Sequence, residues 1–218
     1  MSESLTLFSL DGLALEAEID GDDDAAAALV LCHPHPRMGG TMRAPLLVAL
    51  ADEMVRRGWA VLRFNFRGIG ESEGEPGTGE AEVADARGAV AFVRDRFAEV
   101  PVAIAGWSFG AAVAVRTAAL DDRLGACVAI APAVTPKEGV TAGLPSPAGF
   151  QTGVPLLLIC AANDHLVARD DCAGWADAVG AKAEVMAGAN HFFWGKYDDL
   201  ADAVGAFLVT SATNTRKE

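Results

Sequence analysis

Apolar residues in this chain fall into short runs that glycine, proline and acidic breaks interrupt, and those runs alternate with stretches of helical spacing. Residues 5–10 and 13–19 are apolar-rich and flank Asp11-Gly12, a pattern that predicts a hairpin with a tight turn. The first continuous apolar run, 26–32, predicts a central strand buried on both faces. From 45 to 57, Leu46, Leu47, Leu50 and Met54 repeat at helical spacing, and Gly58 supplies the stop. Residues 59–66 predict a strand, 80–99 an amphipathic helix, and 102–105 a strand bracketed by Pro101 and Gly106. Good helix formers and small residues follow as far as Leu120. Strands over 126–130, 155–160 and 183–186 and helices over 169–179 and 197–208 complete the series.

A hairpin followed by alternating strands and helices predicts an α/β fold. Its sheet is mostly parallel and twisted, with helices on both faces and an N-terminal antiparallel hairpin. The length of 218 residues suits one domain over 1–218. Residues 131–153 hold Pro132, Pro136, Pro145 and Pro147, which predicts a short lid-like excursion and no large cap domain. The polar stretch 211–218, SATNTRKE, is expected to fray. In open sheets of this kind ligands bind beyond the carboxyl ends of the strands. Each chemically suggestive motif of this chain follows a predicted strand.

Gly106-Trp107-Ser108-Phe109-Gly110 stands between a strand and a helix and matches G-x-S-x-G. Two glycines let strand and helix approach closely, and the serine at the apex is presented to whatever it attacks. A chance match in a glycine-rich loop would lack the flanking elements, which are present here. A serine hydroxyl needs a base, and the base needs a third group to orient it. The chain order that accompanies this serine turn, serine then acid then histidine, leaves His165 and His191 as bases. Asp164, in the loop after the strand over 155–160, is the best acid; His165 adjoins it and cannot easily serve it, so His191, in the loop after the last strand, is the candidate base. Asp170 and Asp171 are rival acids, but they begin a helix, where carboxylates commonly answer the helix dipole.

With these residues in view, the chain resembles the α/β-hydrolase superfamily. More narrowly it is similar to small His-Pro-His-Pro-x-x-Gly-Gly predicted esterases related to the dienelactone-hydrolase group. The likeness is carried by HPHPRMGG at 33–40, FNFRGIGESEG at 64–74, GWSFG at 106–110, NDHLV at 163–167 and GANHFF at 188–193. The resemblance implies the catalytic set Ser108, Asp164 and His191, since its acid falls in an Asp-x-x-Val setting. An oxyanion also needs two N–H donors. One belongs to Phe109, directly after the nucleophile. Pro34 and Pro36 have no N–H to give, which leaves His35 and Arg37 as near donors for the other. Alignment with the family's His-Gly-x turn points to His35. Gly39-Gly40 would let the backbone fold back under the site.

Arg37, Met38, Phe150 and Trp194 are the candidate substrate-pocket residues. The expected activity is a serine hydrolase acting on carboxylic esters of small or medium acyl groups, through an acyl-enzyme. A thioesterase or small peptidase with the same residues, or a non-catalytic ligand-binding relative, are the alternatives. No cofactor is required. His33 and His35 lack an acid or cysteine at metal-binding spacing, so no metal is expected. Arg67-Gly68-Ile69-Gly70 lacks the third glycine and the following helix of a dinucleotide fingerprint, and Arg67 is read as making loop hydrogen bonds.

A formal net charge of −13 argues against nucleic acid or an anionic membrane as partner, leaving a small-molecule ester and a possible homo-oligomer. The N-terminus has no basic start or apolar core of a secretory signal, so a cytoplasmic location is expected. Cys32, Cys127, Cys160 and Cys172 show no CxxC spacing and are read as inert, reduced thiols.

Overall fold

The computed structural model describes residues 2–215 of the chain. Strands β1 (Ser2–Phe8) and β2 (Ala14–Asp20) form the antiparallel hairpin, with Gly12 in the turn at φ 92°. Strands β3 (Ala27–Cys32), β4 (Trp59–Phe64), β5 (Val102–Trp107), β6 (Ala126–Ile130), β7 (Leu156–Ala161) and β8 (Lys182–Met186) follow. They make one eight-stranded sheet in the order β1-β2-β4-β3-β5-β6-β7-β8. Every pairing from β4 to β8 is parallel, and β2 runs antiparallel to both β1 and β4. This is the α/β-hydrolase architecture, and each strand with its chemistry-bearing loop points the same way.

Alternate residues along the central strands feed two cores. Ala28, Val30 and Cys32 face helices α2 (Glu82–Arg96), α3 (Phe109–Ala118) and α4 (Arg169–Val179). Leu29 and Leu31 face α1 (Pro45–Arg56) and α5 (Tyr197–Thr215). Helix α1 begins with proline, whose missing N–H costs nothing at a first helical position, and buries Leu46, Leu47, Leu50 and Met54. The helical spacing in the sequence is thus the buried stripe. Helix α5 outruns its expected end at residue 208 and continues to Thr215, with Leu208 and Ser211 buried. Residues 216–218 of the tail expected to fray lie outside the described residues.

The excursion over 131–153 contains no helix, only a bridge between Lys137 and Thr141. It is tied down. The Arg116 guanidinium donates to the carbonyls of Ala142 and Gly143, the Ala142 N–H donates to the Thr78 carbonyl, and Trp175 Nε1–H donates to that of Pro145. The expected loop hydrogen bonds of Arg67 are a buried clasp: its guanidinium meets Asp85 at 2.6 Å and Asp11 at 2.9 Å. One expectation needs correcting. Cys160, near the end of β7, and Cys172, in α4, are joined as a disulfide. The chain turns back over only 12 residues and brings their Cα atoms to 6.1 Å, a proximity that spacing alone does not reveal. Cys32 and Cys127 are free and buried, and burial pushes both thiols up.

Candidate active site

Ser108 sits between β5 and α3 with φ 57° and ψ −112°, a conformation rarely taken by residues other than glycine. The surroundings hold it there. Its N–H donates to the Ile130 carbonyl, and its own carbonyl accepts from Ala111, Ala112 and Ala133. A Cβ on Gly106 would stand 2.2 Å from the Gly110 carbonyl oxygen, so the turn closes only with glycine. The N-terminus of α3, with its positive dipole end, therefore faces the space above the serine.

The Ser108 hydroxyl lies 3.0 Å from His191 Nε2, and His191 Nδ1 lies 2.8 Å from Asp164 Oδ2. An ionised carboxylate only accepts, so the proton between them sits on Nδ1 and the Nε2 lone pair faces the hydroxyl. Burial opposes the charge on Asp164. Hydrogen bonds from His191 and from the Val167 and Leu166 N–H groups outweigh it and hold the carboxyl below its ordinary value. The Asp164 and His191 side chains are buried. Trp107 Nε1–H donates to the His191 carbonyl at 3.0 Å, which fixes the histidine loop onto the strand carrying the serine. His165, the other candidate base, is exposed and takes no part in this chain of hydrogen bonds.

The loop after β3 is shaped by its histidines. The Phe66 N–H donates to His33 Nε2 at 3.0 Å, so His33 Nδ1–H donates to the Pro34 carbonyl. Burial pushes this imidazole down to about 4, which keeps it neutral. The Arg37 N–H donates to His35 Nδ1, so His35 Nε2–H donates to the Val140 carbonyl. That occupies one of the two N–H groups the sequence left open. Those of His35 and Phe109 have no acceptor among the described residues, and the His35 ring lies 5.1 Å from that of Phe109. Gly40 folds beneath the loop, where a Cβ would meet the Pro34 oxygen at 2.1 Å.

The four candidate pocket residues separate. Met38 is exposed on the loop after β3, and Trp194 is exposed beyond His191. The Arg37 guanidinium is bound to the Pro76 carbonyl at 2.6 Å, which turns it toward the loop after β4. Phe150 packs on Trp175 and lines a cavity with Ala118 and Ala119, at the far end of α3 from Ser108. At 1.5 Å per residue that end lies roughly 15 Å away, so Phe150 is no part of the serine's surroundings. What the sequence did not single out is a groove between the excursion and α4, about 590 Å³ in volume. Val134, Thr135, Leu144, Pro145, Asp171 and Trp175 are among its walls. It begins one residue beyond Ala133, whose N–H is bonded to Ser108.

Residues 23–151, more than half the chain, match the family described as "Serine aminopeptidase, S33". The protein belongs to that family of α/β-hydrolases. It is similar to an α/β serine hydrolase without lid from Xanthomonas campestris, with 28% identity and a TM-score of 0.80, over 96% of this chain and 94% of that one. An uncharacterized protein of Rickettsia prowazekii is 29% identical over 199 residues, 88% of this chain and 82% of its own. An esterase from Pyrococcus furiosus is 18% identical with a TM-score of 0.82, covering 96% of this chain and 92% of that one, and speaks to the fold alone. Among the described residues no helix is long and apolar enough to cross a membrane.

Proposed function

We propose that the protein is a serine hydrolase that cleaves carboxylic esters of small or medium acyl groups by a Ser108–His191–Asp164 triad. The observation that carries this reading is the unbroken hydrogen-bond chain from hydroxyl to imidazole to carboxylate, 3.0 Å and 2.8 Å long, above the strand ends. Ser108 Oγ attacks the ester carbonyl carbon while its proton passes to His191 Nε2. Asp164 keeps the imidazole in the tautomer that can accept that proton and stabilises the imidazolium that results. The carbonyl oxygen, now negative, is held by the free N–H groups of His35 and Phe109. Such a donor contributes about 3 kcal/mol to the transition state. His191 then gives its proton to the departing alkoxide, and water, activated by the same imidazole, releases the acid from the acyl-enzyme. The groove starting at Val134 is the place for the acyl chain.

The family's description supports a second reading, cleavage of an amide next to a free amino group, for which the carboxylates of Asp170 and Asp171 on the groove would be the partners. A fluorophosphonate probe tests the shared chemistry: the adduct maps to Ser108 and is absent from Ser108→Ala. Acetyl, hexanoyl and decanoyl esters assayed beside aminoacyl anilides separate the two readings. Ester turnover falling at the longest chain supports the proposal, and faster turnover of the anilides overturns it.

A further inference from the structure

Three rings continue outward from His191. Trp107, buried before the serine, has its ring centre 6.0 Å from the imidazole. Phe192 meets that imidazole edge-on at 5.6 Å and Trp107 at 5.9 Å. Trp194 stacks on Phe192 with centres 4.9 Å apart and planes 15° from parallel. Burial falls along the series: Phe192 is 39% exposed and Trp194 67%. An apolar ladder thus begins at the imidazole and ends in solvent.

The backbone is built to hold it. Phe193, between the two rings, takes φ 53° and is fully buried in the core beneath. A left-handed conformation at a bulky residue is strained and persists only where the surroundings enforce it. Here Phe192 N–H donates to Asn190 Oδ1, Phe193 N–H to the Asn190 carbonyl, and Lys196 N–H to the Phe193 carbonyl. With Phe193 folded inward, Phe192 and Trp194 lie together on the outside, and two large stacked rings are left facing water.

Reaction geometry says what lies on this side of the site. In the acylation step the imidazolium protonates the departing oxygen, so the alcohol half of the ester must sit against His191. The geometry points to Phe192 and Trp194 as the leaving-group subsite, selective for esters whose alcohol carries a flat apolar ring. This rests on the ester-hydrolase reading and adds the alcohol class to it. Flat rings offer such an alcohol stacking or edge-to-face packing, which a flexible polar alcohol cannot match.

Benzyl acetate and 2-methoxyethyl acetate test the idea, because they share one acyl group and their alcohols are of similar acidity. kcat/KM reports the steps up to alcohol release, so the shared acetyl-enzyme drops out of the comparison. The expected result is about tenfold higher kcat/KM for the benzyl ester. Trp194→Ala, at an exposed position, should remove most of that advantage through KM, bringing the ratio of the two kcat/KM values close to one, and Trp194→Phe should restore it. Equal kcat/KM for the two esters, or an equal loss on both in Trp194→Ala, overturns the subsite and leaves the hydrolase reading standing. No hydrolysis of either ester, with Ser108 unlabelled by fluorophosphonate, overturns both.

Discussion

Gly110 is pressed against the end of β3: a Cβ on it would stand 2.3 Å from the Cys32 carbonyl oxygen and 2.4 Å from that of His33. One glycine thus spaces the helix that follows the nucleophile from the strand that leads into the proposed oxyanion loop. The positions of Phe109 and His35 are set by this contact between backbones. Gly110→Ala forces α3 outward and is expected to destabilise the protein by about 1–3 kcal/mol in denaturant unfolding. Ester hydrolysis should fall by more than tenfold in the fraction that stays folded, since small displacements of reacting groups are costly. Unchanged kcat in the alanine variant would show that the close approach is not needed.

Asp164 tests the orienting role of a carboxylate. Asp164→Asn keeps the shape but replaces the acceptor-only group, which allows the imidazole to turn its protonated nitrogen toward the serine. A loss on the order of a thousandfold or more in kcat is expected, with the fold intact by circular dichroism. In the wild type the carboxyl is held below its ordinary value, 3.8. Its contribution to stability is therefore complete above that value and is lost as pH falls through the lower, folded one.

A buried neutral imidazole gives a separate acid sensitivity. His33 goes from 6.5 when unfolded to about 4 in the folded chain. Between those values the unfolded state binds the extra proton, so stability drops as pH falls from 6.5 toward 4. Unfolding free energies from denaturant titrations at pH 7 and pH 5 should differ by about 2 kcal/mol from this residue. His33→Gln should flatten that difference; an equally steep profile in the variant would assign the sensitivity to other groups.

The clasp of Arg67 on Asp85 is expected to be structural. Asp85 is fully buried and Arg67 nearly so. Arg67→Met strands a carboxylate in the core and should cost about 3–5 kcal/mol. Adding Asp85→Asn to that variant should recover much of the loss, and a double-mutant cycle measured by thermal unfolding reads the coupling.

Much of the site was legible because its residues are local signals at strand ends. The pairing of Ser108 with His191 followed from a turn motif and a chain-order rule, and the geometry brings the two together. The choice between the His35 and Arg37 N–H groups was not legible from proline spacing. It depends on a side-chain bond from Arg37 N–H to His35 Nδ1. Phe150 was misplaced for a similar reason, since a glycine-flanked aromatic carries no information about which end of α3 it will reach. Phe192 does not stand out in the sequence, because what distinguishes it is a stack shared with Trp194 across a buried Phe193.

The Cys160–Cys172 bond makes a covalent ring out of the segment that holds Asp164. A protease that nicks that ring leaves two fragments that travel as one species until a reductant is added. The severed ends remain pinned on both sides, so breaking the chain beside its acid need not scatter the parts.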